Sequence, residues 1–177
     1  MKSKSFDTAL KKGDIGERVV IPILERKGFA VYRPFTEGAH CFDILAIQNK
    51  DKAIALDVKA KARLNSYEAT GIDQRHFEEY KNFSEKHNMD FWVIFVDEML
   101  GEIYGNKISE LEKPRCRSGE ITETNEFYPM VKPWGYRGSK IRVWHLNSMI
   151  RNIGSLNDEA INDLKNYSQR AHEYLSA

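Results

Sequence analysis

The sequence predicts an α/β protein, a mixed sheet flanked by helices. Three observations carry this reading. A long apolar-periodic stretch over residues 5–27 reads as a helix ahead of every strand. Three short β-rich runs follow, then a second helix. FWVIFVDE (91–98) is a continuous apolar run, the mark of a buried central strand. Helix, three strands, helix, strand, then C-terminal additions is an order that a mixed sheet with flanking helices accommodates.

In the first helix Phe6, Ala9, Leu10, Ile15, Val19, Val20, Ile23 and Leu24 recur at helical spacing, and Gly28 follows as a stop. Gly13 and Pro22 disturb it. Pro22 removes one intrahelical donor and predicts a kink, and the regular part is expected to begin near Asp14. FAVYRP (29–34) is a short strand. FDILAI (42–47) is another, and QNKDK is the hairpin loop into AIALDVKAK (53–61). Residues 62–72 read as a loop. Asp73 is an N-cap for a helix whose apolar positions are Phe77, Tyr80 and Phe83. Within 101–130 only Glu102–Tyr104 reads as a strand. KIRVWHL (140–146) is a further strand. Asn157 caps a last helix with Ile161, Leu164, Tyr167, Ala171 and Leu175 on one stripe.

The length of 177 residues predicts one domain, 1–177, with enough chain for a core without staples. Apolar residues at 41% and charged residues at 30% give a globular composition. Cys41 and Cys116 cannot form a disulfide framework or a four-cysteine zinc site, and read as reduced thiols. No stretch approaches the ~20 apolar residues of a membrane span. The charged N-terminus lacks a secretory h-region, so the expected home is the cytoplasm.

The net charge of +1 conceals a pattern. Residues 1–77 carry a net +4, 78–126 a net −6, 127–157 a net +5 and 158–177 a net −2. Segment 127–157 contains no acid. Its Lys132, Arg137, Lys140 and Arg142 are interleaved with Trp134, Tyr136 and Trp144. Cations neutralise phosphates and aromatic faces stack on bases. The other reading is a solvated loop and a core strand with inward aromatics.

The chemistry concentrates on two strands. Asp43 stands between Phe42 and Ile44, and Asp57 between Leu56 and Val58. Strand alternation puts Asp57, Lys59 and Lys61 on one side and Leu56, Val58 and Ala60 on the other. Hairpin pairing can bring Asp43 to Asp57. Two carboxylates ~4 Å apart repel by roughly 4 kcal/mol at an effective dielectric near 20. A divalent cation is the usual compensation, and oxygen ligands favour Mg²⁺ or Mn²⁺. Lys59 beside it could orient a water. A bare D-x-K on the polar face of an edge strand is the competing interpretation. The upstream acid, the hairpin and a preceding helix bearing Glu17 favour the site.

GDIGE (13–17), FDILAI with Asp43, and LDVKAK with Asp57 and Lys59, followed by a helix and a strand, resemble the PD-(D/E)XK nuclease superfamily. The closer likeness is to its Holliday-junction-resolvase and restriction-endonuclease-like branch. The match covers about 13–97, leaving 98–177 as a C-terminal extension with strand and helix additions. The resemblance implies a restriction-endonuclease-like core, with Asp43, Asp57 and the Val58 carbonyl on the metal. Glu17 would reach the same metal or its water shell, and Lys59 would position the attacking water. Phe42 stands where the family's naming proline would be. Gln74 resembles a glutamine that some branches place near the site, but Tyr80 lies six positions on and position 78 is Glu, so the glutamine–tyrosine spacing is absent. His40, three residues before Asp43, is close enough to touch a phosphate or is a loop residue without a role. Arg33 falls beside the site or at the surface.

The expected activity is Mg²⁺- or Mn²⁺-dependent hydrolysis of DNA phosphodiesters. Lys61, Arg63, Gln74, Lys132, Trp134, Arg137, Lys140 and Arg142 would hold DNA. Phosphate contacts carry little sequence information, so a structure-selective or weakly sequence-selective endonuclease is the natural form. The alternatives are a catalytically silent domain that binds DNA or a protein, and a plain interaction protein. Relatives of the resolvase kind are dimers, which implies a possible homodimer.

Overall fold

A computed structural model describes residues 4–34, 40–64, 68–113, 115–116, 127–133 and 138–167. In chain order the elements are α1 (Lys4–Arg26), β1 (Ala30–Tyr32), β2 (Ile44–Asn49), β3 (Lys52–Ala60), β4 (Ala69–Asp73) and α2 (Gln74–His87). Then come β5 (Asp90–Asp97), β6 (Glu102–Lys107), α3 (Ile108–Leu111), β7 (Arg115–Cys116), β8 (Phe127–Tyr128) and β9 (Met130–Lys132). β10 (Ile141–His145), a 3₁₀ turn at Leu146–Ser148, β11 (Ile150–Ser155) and α4 (Asp158–Asn166) are the last of the described elements.

Among the described residues, six strands form the main sheet in the order β1-β2-β3-β5-β6-β11, and β4-β10-β9 form a second sheet. β1, β2 and β3 pair antiparallel. β3 and β5 run parallel, because α2 carries the chain back across one face between them. β6 and β11 continue antiparallel. This is the mixed α/β class expected from the sequence: a helix, an antiparallel hairpin, a crossover helix and a parallel return.

Both faces of the main sheet are covered. On one, Ile15, Val20, Ile23 and Leu24 of α1 and Leu164 of α4 meet Ile44, Leu56, Val58, Ile94, Val96 and Ile103. On the other, Phe77 and Tyr80 of α2, Leu111 of α3 and Trp144 of β10 meet Ala55, Phe91, Val93 and Phe95. This double cover is why β5 reads as an unbroken apolar run.

Several elements differ from the sequence expectation. α1 runs from Lys4 without a start at Asp14, and Pro22 lies inside it. Its buried stripe, Ile15 to Leu24, holds the helix on the sheet across Pro22, which is itself exposed. Asp43 stands one residue before β2 rather than within it. Segment 62–72 contains β4, whose Gly71 hid it; a Cβ there would collide with the Arg142 carbonyl of the paired strand. β11 was not foreseen because Asn152 adopts φ 59° and the register to β6 shifts between Ile150 and Gly154, which erases alternation. The N-caps stand as expected: Asp73 accepts from the Arg75 N–H and Asn157 from the Ala160 N–H. Tyr136, Ala171 and Leu175 lie outside the described residues.

Candidate active site

β3 crosses the middle of the sheet with alternating faces. Leu56 and Val58 join the core beneath α1, while Ala55 joins the core beneath α2. The alternation that turns Ala55 to α2 turns Asp57 and Lys59 the same way. The Lys59 ammonium donates to Asp57 Oδ1 at 2.8 Å. Asp57 is only 4% exposed, and its Oδ2 is buried with no hydrogen-bond partner of good geometry. A buried carboxylate oxygen without a donor is costly.

Asp43 comes in from the neighbouring strand. Its backbone N–H donates to the Leu56 carbonyl at 2.8 Å, carrying the β2–β3 ladder one residue further. Its Oδ2 accepts from the Val58 N–H at 2.8 Å. Burial first, and the Asp57 charge second, push the Asp43 carboxyl up to about 6, against the Val58 hydrogen bond and the Lys59 charge. The two carboxylates thus share one electrostatic environment.

Ladder parity locates the Val58 carbonyl. The Lys61 N–H donates to the Val96 carbonyl at 3.0 Å, so odd-numbered residues on this strand exchange bonds with β5. Leu56 and Val58 direct theirs toward β2. At Leu56 and at the Val58 N–H the partner is Asp43; the Val58 carbonyl opens on that same side, past the start of β2.

Glu17 reaches the group from α1 because that helix sits very close to β3. A Cβ on Gly16 would stand 3.0 Å from the Ala60 Cβ, so glycine is what admits the approach. Burial raises the Glu17 pKa; Arg33, 2.7 Å from its Oε2, opposes the rise, and the charge of Asp57 adds to it. Arg33 also pairs with Asp14 at 3.1 Å. Arg33 is an exposed surface residue and the counter-ion of Glu17.

Sequence reasoning weighed Tyr80 only as an apolar helix position and for its distance from Gln74. Its hydroxyl faces Asp57. Burial first and then the Asp57 charge drive that hydroxyl far above its ordinary range, with a smaller push from Asp43. The available signal was a hydroxyl on the core stripe of α2, since a buried tyrosine oxygen needs polar company.

The candidate DNA contacts divide. The Lys61 ammonium donates to the Gly71 carbonyl and lies 5.6 Å from the Phe95 ring centroid. Arg63 pairs with the fully buried Asp97 at 2.8 Å and with Glu102 at 2.6 Å, which commits it to the interior network. Arg142 reaches the Gln74 Oε1 at 3.5 Å, with its guanidinium 4.0 Å from the Phe77 ring centroid. Desolvation lowers the Arg142 pKa. The Lys140 carbonyl accepts from the Gln74 N–H at 2.8 Å, and Lys132 stands opposite Ile141 on β9. Gln74, Lys132, Lys140 and Arg142 therefore gather where β4 runs into α2. Trp134 and Arg137 lie outside the described residues.

The charges of Glu17, Asp43, Asp57 and Lys59 act on one another, and the three acids offer oxygen donors. Two carboxylates, one of them with an oxygen that lacks a hydrogen bond of good geometry, and a strand-edge carbonyl suit a hard cation that keeps part of its water shell. Among the described residues no three His, Cys, Asp or Glu side chains stand as a ready cage.

No family model matches the sequence, and no curated protein matches it. Among solved structures, the chain is similar to Hjc, a Holliday junction resolvase from the archaeal hyperthermophile Archaeoglobus fulgidus. The two share 21% identity at a TM-score of 0.47, over 65% of this chain and 86% of that one. It is also similar to the bacterial homing endonuclease I-Ssp6803I, at 14% identity and a TM-score of 0.43, over 99% of this chain and 94% of that one.

Proposed function

We propose that this chain is a metal-dependent endonuclease that hydrolyses DNA phosphodiester bonds. The observation that carries the reading is the buried Asp57, bonded to Lys59 on one oxygen and lacking a hydrogen bond of good geometry on the other, beside an Asp43 whose carboxyl is pushed up to about 6. A divalent cation at that point would relieve both carboxylates.

Asp43, Asp57 and the Val58 carbonyl are the groups to hold Mg²⁺ or Mn²⁺, with Glu17 on the ion or its water shell once Arg33 lets go. The bound ion would polarise the phosphoryl group and lower the pKa of its water. Lys59 aligns the water from the Asp57 side. Lys140 and Arg142, with Gln74 and Lys132, contact flanking phosphates from the second sheet, and Lys61 lies between the two regions. Trp134 and Arg137 belong to the same basic segment. Arg63 holds the end of β3 to β5 and β6 and acts on DNA only through that support. Contacts of this type hold the backbone and favour structure-selective or weakly sequence-selective cleavage.

The test is cleavage of plasmid, branched, duplex and single-stranded DNA with and without Mg²⁺. Asp57→Ala and Lys59→Ala should each abolish Mg²⁺-dependent cleavage while circular dichroism stays native. Cleavage that survives both substitutions would overturn the mechanism. Salt-dependent DNA binding by the wild type without any cleavage would select a silent DNA-binding domain instead.

A further inference from the structure

Tyr80 occupies a defined place beside the cluster. It is 3% exposed, and its ring stacks on Phe91 with centroids 4.5 Å apart and planes 9° apart. Phe91 is the register partner of Ala55, and Asp57 lies two residues further along the same face of β3. The flat stack fixes the ring, and with it the direction in which the hydroxyl points. Lys59 already occupies Asp57 Oδ1, while Oδ2 has no donor of good geometry.

We propose that Tyr80 is a positioning residue whose hydroxyl donates to the Asp57 carboxylate and fixes its plane for the cation. The inference rests on the proposed function and adds a residue to it. A carboxylate oxygen has two lone pairs, so one oxygen can accept the tyrosine proton and still bind an ion. With Lys59 on one oxygen and Tyr80 on the other, the carboxylate has no freedom to rotate away from Asp43. Tyr104 is a matched control. It is also buried, and its hydroxyl belongs with Asp97 and Arg63 rather than with Asp57.

The experiment is calorimetric titration with Mn²⁺ alone on wild type, Tyr80→Phe and Tyr104→Phe, with thermal melting of each. Tyr80→Phe keeps the ring and its stack. It should weaken Mn²⁺ binding about tenfold, the scale of a hydrogen bond to a charged group. Tyr104→Phe should leave Mn²⁺ affinity unchanged. In cleavage assays Tyr80→Phe should require more Mn²⁺ for half-maximal rate yet recover most of the rate at saturation. Equal affinity in wild type and Tyr80→Phe overturns this inference and leaves the proposed function intact. Equal weakening in both tyrosine variants also overturns it, as a general effect of losing a buried hydroxyl. A wild type that binds no Mn²⁺ overturns the functional proposal and this inference together.

Discussion

Asp43 and Asp57 sit in the same notch and differ in what each is given. Asp57 has the Lys59 ammonium at 2.8 Å, whereas Asp43 has a backbone N–H and a neighbouring negative charge. The consequence is a pH dependence with a definite sign. With its carboxyl raised from 3.8 to about 6, Asp43 binds a proton more firmly in the folded state than in the unfolded one. Its contribution to stability is complete below about pH 4 and is lost as pH rises through 6. Above that the metal-free protein carries a penalty of roughly 2–3 kcal/mol from this one group. Asp43→Asn removes the charge and keeps an acceptor for the Val58 N–H. Melting of the metal-free variant should therefore exceed wild type at pH 8 and match it near pH 4.5. A difference between the two proteins that does not change with pH would contradict this account.

At the scale of elements, α1 decides where Glu17 stands, and two of its glycines have opposite reasons to exist. Gly13 has open space around its would-be Cβ, whereas Gly16 faces Ala60. Gly13→Ala should stabilise the protein by about 0.5–1 kcal/mol through helix propensity alone. Gly16→Val should lift the helix off β3, lower the melting temperature and weaken Mn²⁺ binding by displacing Glu17. Denaturant melts of the two variants give the signs directly. The same helix continues through Pro22, where the sequence predicts a kink. Val20, Ile23 and Leu24 bury against the sheet on both sides of the proline, and that packing outweighs one missing hydrogen bond.

At the scale of the molecule, the two sheets are joined through β4, β10 and α2. Trp144 of β10 is fully buried, and its indole N–H donates to the Leu111 carbonyl at 2.8 Å. That anchor brings the acid-free segment against the start of α2, beside the face that carries Asp57 and Lys59. Lys140 is exposed, so it tests the proposed DNA contact without a packing penalty. Lys140→Ala should weaken DNA binding equally across sequences and reduce the slope of log affinity against log salt by about 1. An unchanged slope from fluorescence anisotropy at several salt concentrations would remove this surface from the interface.

Local order was legible because it is written locally. Strand alternation predicted that Asp57 and Lys59 share a side and that Leu56 and Val58 oppose them, and a hairpin with a short turn brought Asp43 within reach of residues 57 and 58. The crossover helix announced itself by period and β5 by its unbroken apolar run. What the chain alone left undetermined depends on partners distant in sequence. β4 is a strand because β10 pairs with it, Arg33 is a counter-ion because α1 brings Glu17 to it, and Tyr80 faces Asp57 while its ring stacks on Phe91. Arg63 shows the converse: expected from sequence to hold DNA phosphates, it is drawn inward by the buried Asp97. A period fixes which face of an element a residue takes, but only three-dimensional packing fixes what that face meets.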